Sequence, residues 1–302
     1  MDIRPLGRTG LPVSRLGVGL AEIGGLELVE ARQAAEVLNL ALDSGVTFFD
    51  TSACYDNSEA LIGKTMTHRR AELVLATKAG HVVGGYQGEE WTAQTVLDSI
   101  DRSLMRLRTD YLDLVQLHSC DVEVLEKGEV ILALQEAQRA GKTRFIGYSG
   151  DNEGALWAVK SGLFDTLQTS YNLVDQGARR DLFGIAEAGG MGIIVKRPIA
   201  NGAWGAAASP SRYADGYFRR AEMMRGLGTL HGAHQDRIAL ALGFALAHEA
   251  VDTAIVGTRS AAHMRANIAW AESSPLLPAE TVTELQKRFD VLAAEHAWRQ
   301  LT

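Results

Sequence analysis

Apolar residues along this chain alternate between two spacings. Short runs rich in Val, Ile and Leu read as buried strands at 16–20, 46–50, 73–78, 112–118, 143–148, 166–170, 192–196 and 253–257. Between them the apolar positions recur every three or four residues, as on one face of a helix. From 31 to 43, Ala34, Val37, Leu38, Ala41 and Leu42 share one helical face while Arg32, Glu36, Asn39 and Asp43 share the other. Val96, Ile100, Leu104 and Leu107 repeat the pattern before the fourth strand, and Val282, Leu285, Phe289 and Leu292 repeat it near the C-terminus. Strands that alternate with helices predict a parallel sheet, because each strand must return to the same end before the next begins. Eight such units, most of them roughly 25–40 residues apart, can close into a (β/α)8 TIM barrel.

Two stretches fall outside the rhythm. Residues 4–14 carry Gly7, Gly10 and Pro12 around a few apolar positions, which predicts a β-hairpin plugging the bottom of the barrel. Residues 199–236 hold several glycines together with Trp204, Tyr213, Tyr217 and Phe218, and are far longer than an ordinary strand-to-helix connection. A partly helical lid is the expectation there. No linker composition divides the chain, so one barrel domain over residues 1–302, with long loops at its C-terminal face, is expected.

Composition narrows the class without naming a chemistry. No run approaches the roughly 18 apolar residues of a membrane span, and the N-terminus lacks the pattern of a secretory signal, so a cytoplasmic protein with no membrane partner is expected. A net charge of −7 argues against nucleic acid as a partner. Cys54 and Cys120 are too few for a disulfide framework, and His231, His234, His248 and His296 show no shared ligand spacing, so no metal is expected.

Chemistry enters through four polar residues. In a parallel barrel, functional groups project from the C-terminal ends of strands. Asp50, Lys78 and His118 each end an apolar strand, and Tyr55 follows Asp50 in the next loop. Each alone reads as a cap, a turn former or a packed ring. A lysine at the inner end of a core strand nevertheless requires a carboxylate, and Asp50 on the neighbouring strand is the candidate. An ammonium so held is expected to lower the pKa of the Tyr55 phenol, while His118 hydrogen-bonds a substrate carbonyl. Such a group reduces a carbonyl once a cofactor supplies hydride.

The segments FFDTSACYDNSEALIG, VLATKAG, DYLDLVQLHS, IGYSG, LQTSYNLV and IVGTRSAAHMRANI, preceded by LGRTGLPVSRLGVG, resemble the successive signature blocks of the aldo-keto reductase superfamily, in that family's order over nearly the whole chain. The resemblance places the family's catalytic tetrad on Asp50, Tyr55, Lys78 and His118. It implies cofactor contacts at Gly19, Ser149, Gln168, Lys196, Arg197, Pro198, Gly257, Thr258, Arg259, His263 and Asn267. Ser149 and Gln168 would hold the nicotinamide carboxamide, and Arg259 and His263 stand where a 2′-phosphate is met, so NADP is favoured over NAD. Three positions depart from the family pattern: Gly150 stands where many members have Asn, Lys196 where an aromatic ring is common, and Gly257 where some branches have Lys. The function implied is hydride transfer between a nicotinamide cofactor and an aldehyde, ketone or alcohol, with Tyr55 as general acid/base, in a monomer or loose homo-oligomer. An NADP(H)-binding redox-sensing or regulatory subunit with little turnover is the alternative.

Overall fold

The computed structural model describes residues 1–273 and 277–301. A hairpin of β1 (Ile3–Pro5) and β2 (Pro12–Ser14) precedes eight further strands: β3 (Leu16–Gly19), β4 (Phe48–Asp50), β5 (Val74–Ala79), β6 (Leu112–His118), β7 (Thr143–Ser149), β8 (Thr166–Ser170), β9 (Gly192–Lys196) and β10 (Thr253–Gly257). All eight pair in parallel, neighbours following chain order, and β10 pairs with β3 to close the barrel. The predicted strands are present with their ends shifted by a residue or two. The largest change is at β4, where Val46 and Thr47 lie outside the strand. Thr47 instead exchanges hydrogen bonds with Ser14, its N–H donating to Ser14 Oγ at 2.9 Å and its hydroxyl accepting from Ser14 N at 2.9 Å, which ties the hairpin to the barrel wall.

Strand periodicity separates two cores. Phe49, Leu75, Val115 and Leu117 face outward into a layer shared with the helices, where Val37 and Leu38 of Ala31–Asp43 and Ile100 of Ala93–Leu107 are fully buried. Phe48, Val74, Ala76, Leu114, Ile194 and Ile255 face inward and join Leu6, Leu11 and Val13 in a second cluster. The hairpin thus plugs the barrel floor, and each of its fully buried leucines contributes about 1.5–3 kcal/mol. Gly7 makes the close approach possible. Its φ is +46°, and a Cβ there would stand 2.6 Å from Gly192 Cα. Its N–H donates to Asp252 Oδ2 at 3.1 Å, joining residues 245 apart in sequence.

The same periodicity carries polar groups to the other end. Two residues above Phe48 is Asp50, two above Ala76 is Lys78, and two above Leu114 is Gln116 followed by His118. Strand register then sets Lys78 beside Gln116, His118 beside Ser149, and Ser149 beside Gln168. The interior column is apolar at the floor and charged at the rim.

Candidate active site

Asp50 and Lys78 form a buried ion pair at that rim, Nζ to Oδ2 2.6 Å, with each side chain no more than 2% exposed. Lys78 also donates to the Thr51 carbonyl at 2.8 Å. The second oxygen of Asp50 accepts from Gln168 Nε2 at 2.8 Å and from Gln116 Nε2 at 3.3 Å, so the carboxylate is held by three strands besides its own. Burial is the largest single influence and opposes the Lys78 charge, yet Asp50, with Tyr55 and Cys54 adding to it, gives a net rise in the ammonium's pKa.

Tyr55 lies in the loop after β4, with Lys78 Nζ 5.0 Å from its ring centre. The expected downward shift of its phenol is not the net result. Burial, the larger influence, raises its pKa, and the pull of Lys78 only moderates the rise. The phenol therefore carries its proton at neutral pH. His118 meets Tyr55 edge-on, ring centres 5.8 Å apart. Its Nδ1 lies 3.2 Å from Ser52 Oγ and 3.3 Å from Cys54 Sγ. Burial first, and then the nearby Lys78 charge, push its pKa well below the ordinary histidine value, leaving a neutral ring.

The residues expected at the cofactor divide into two groups. Gly19, Ser149, Gln168, Lys196, Arg197, Pro198, Gly257 and His263 line one cleft of about 750 Å³ together with Asp50, Tyr55 and His118. Lys78 lies behind the cleft wall, and Thr258, Arg259 and Asn267 do not line it. Thr258 is buried at the junction of β10 with helix Ala261–Ser273 and Asn267 midway along that helix, whereas Arg259 is exposed at the junction and its guanidinium has no partner among the described residues. Sequence reasoning passed over Glu22, Asn201 and Ile255, which also line the cleft.

Lys196 is largely withdrawn from solvent, with a partly exposed side chain at the cleft wall. Its Nζ sits 3.0 Å from Asp151 Oδ2, and Asp151 further accepts from Ser170 N at 2.7 Å and Thr169 Oγ1 at 2.9 Å. Burial lowers the Lys196 pKa against the opposing pull of Asp151. Arg197, with φ +57°, fans out to Ser170 Oγ, Tyr217 OH, Tyr213 OH and the Leu301 carbonyl. It thereby ties barrel, lid and C-terminal tail together. The lid over 199–236 is partly helical, its main element being Asp215–Gly226. Of its aromatics, Trp204 and Tyr217 are buried within the fold and Tyr213 faces the cleft.

A closed parallel barrel, an ion pair beneath a protonated tyrosine, a neutral histidine beside it and one long cleft now stand together. The chain matches the model of the Aldo/keto reductase family over residues 15–288. It belongs to that family. L-galactose dehydrogenase of Arabidopsis thaliana is 29% identical to this aldo-keto reductase over 282 residues, covering 89% of this chain and 88% of that one. Pyridoxal 4-dehydrogenase of Microbacterium luteolum is 28% identical over 331 residues, covering 94% and 96%. The holo form of an aldo-keto reductase from Bacillus halodurans superposes with a TM-score of 0.82 at 26% identity, covering 95% and 96%. This aldo-keto reductase is an NAD(P)H-dependent oxidoreductase acting on carbonyl or alcohol groups. Among its described residues no helix is long and apolar enough to cross a membrane.

The cleft fits such a cofactor. One end of it is lined by Gly257, beside which the Glu22 carboxylate stands, and by His263 in the first turn of helix Ala261–Ser273. At the opposite end Ser149 Oγ donates to Gln168 Oε1 at 2.9 Å, which leaves the serine oxygen able to accept from a carboxamide.

Proposed function

We propose that this chain, acting as one barrel domain over residues 1–302, reduces an aldehyde or ketone with Tyr55 as proton donor, and that NADPH is its favoured cofactor. The carrying observation is the protonated Tyr55 phenol standing over the buried Lys78–Asp50 pair and beside a neutral His118, with Asp50, Tyr55 and His118 opening on one cleft. When bound, the nicotinamide supplies the hydride.

Each residue has a defined task in this reading. Ser149 and Gln168 orient the carboxamide. Nδ1 of His118 accepts from Ser52 or Cys54, which leaves Nε2–H to donate to the carbonyl oxygen and fix it beside Tyr55. Tyr55 passes its proton to the oxygen as negative charge develops there, and the positive field of Lys78 stabilises the phenolate left behind. Asp50 keeps Lys78 charged and in place. The preference for NADPH rests on the unpaired guanidinium of Arg259 and on His263 at the cleft's phosphate end, both available to a 2′-phosphate.

Tyr55→Phe tests the reading, because it removes the hydroxyl and keeps the ring. Turnover of a reducible carbonyl should fall by about 10²–10⁴-fold, the usual scale of a general acid. NADPH affinity, followed by quenching of tryptophan fluorescence, should stay within about twofold. Unchanged turnover would remove Tyr55 from the reaction.

A further inference from the structure

Lys196 has no task in the roles above, although it lines the cleft with Tyr55, His118, Ser149 and Gln168. It ends β9 two residues above Ile194, an inward residue, and its register partner on β8 is Ser170, two residues above Gln168. Two residues of strand rise about 7 Å, so Lys196 belongs to the layer just beyond the Ser149–Gln168 pair. Asp151 sets the direction of its side chain. That carboxylate follows β7 by two residues and is anchored on β8, accepting from Ser170 N at 2.7 Å and Thr169 Oγ1 at 2.9 Å. Holding Nζ at 3.0 Å, it draws the ammonium away from β10 and back toward β7 and β8. The same carboxylate faces Arg197, NH1 to Oδ2 3.7 Å. Two cations therefore share one acid. Asp50 and Lys78 balance each other, and Asp175, which faces Arg220 at 3.6 Å, has its carboxyl pushed up by burial to about 7. A positive excess remains at this end of the cleft, and after burial and Lys78 it is among the influences that lower the pKa of His118.

A fixed positive charge there distinguishes the two forms of the cofactor. The nicotinamide ring is neutral when reduced and carries one positive charge when oxidised, whereas the rest of the molecule is the same in both. With its carboxamide on Ser149 and Gln168, the ring lies about one such layer from the ammonium. Like charges about 7 Å apart in a partly buried site change affinity by about tenfold or more, and Asp151 keeps the effect toward the lower figure. We propose that Lys196 repels the oxidised nicotinamide and so makes the cleft select the reduced cofactor. The assignment rests on the cofactor reading above and goes further, giving the site a direction: oxidised cofactor leaves readily once the carbonyl is reduced. A tenfold preference for the reduced form also raises the potential of the bound couple by about 30 mV.

Isothermal titration of the whole chain with NADPH and with NADP+ reads the effect as a ratio of affinities, or with NADH and NAD+ where the chain takes those instead. Wild type should bind the reduced form about tenfold or more tightly than the oxidised one. Lys196→Met should tighten the oxidised form by about tenfold and leave the reduced form within about twofold. Lys196→Gln, whose amide keeps a donor for Asp151, should do the same, so the result does not depend on one variant folding. Lys196→Arg retains the charge and should retain the ratio. A ratio unchanged in both neutral variants would overturn the proposal, as it would if the ammonium served an anionic substrate instead. Equal weakening of both forms would overturn it too, by placing the ammonium at a phosphate, and so would equal affinity of wild type for the two forms. Failure of the wild-type chain to bind any of the four nucleotides would instead strike the cofactor reading itself.

Discussion

Lys78→Met isolates the ion pair at the barrel rim. The substitution keeps most of the side chain's volume and removes the ammonium that Asp50 holds at 2.6 Å. Asp50 is then left with amide donors alone, Gln168 at 2.8 Å and Gln116 at 3.3 Å, in a position only 2% exposed. Stranding a buried charge in this way costs about 3–5 kcal/mol. For a chain of this size, that corresponds to a melting temperature lower by roughly 6–15 °C. Adding Asp50→Asn removes the stranded charge while the amide oxygen still accepts from Gln168. The double variant should therefore recover at least half of the loss. Thermal and urea melts of wild type, both single variants and the double complete the cycle. A double variant as unstable as the sum of its singles would refute the argument, since the two residues would then contribute independently.

Two further outcomes follow from the packing. Gly7→Ala should destabilise the chain by about 2 kcal/mol or more, because the new methyl meets the backbone at Met191 and Gly192 and φ is +46°; an unchanged urea midpoint would show that the plug does not seat as described. Asp175 is buried beneath the tail, accepting from Leu301 N at 2.8 Å, and burial pushes its carboxyl up to about 7 despite that bond and the nearby Arg220. The folded chain then binds a proton that the unfolded chain has released, so this group's contribution to stability falls as pH rises from about 4 to about 7. Asp175→Asn should flatten that part of the melting-temperature profile, and a profile parallel to wild type would contradict the burial argument.

The strands were legible because a parallel barrel buries both faces of each one, and continuous apolar runs of strand length are the direct trace of that burial. Helix Ala31–Asp43 was legible for the complementary reason, since one of its faces meets water. Asp50, Lys78 and His118 stood out as polar residues at the ends of such runs. Less visible were groups whose meaning depends on a distant partner. Nothing in the sequence joins Lys196 to Asp151, yet that contact fixes where the lysine's ammonium lies. Glu22 occupies a four-residue helix with no periodicity to mark it. The direction of the Tyr55 shift was misjudged because the lysine's charge can be read from sequence, whereas the depth of burial that outweighs it cannot. In the lid, composition pointed to aromatics, and only the fold distinguishes Tyr213, which meets the cleft, from Trp204 and Tyr217, which anchor the lid from within.

The floor plug has a consequence for how the protein is made. Its Gly7 amide is made 245 residues before Asp252, which receives it. At about 5–20 residues per second that interval is roughly 12–50 s. Throughout it the hairpin has no floor to seal and β3 has no β10 to pair with, so the nascent chain carries an unpaired strand edge and uncovered apolar side chains until β10 is made. The barrel cannot close before β10 is made, and its yield in a cell depends on what shields the hairpin and β3 over that interval.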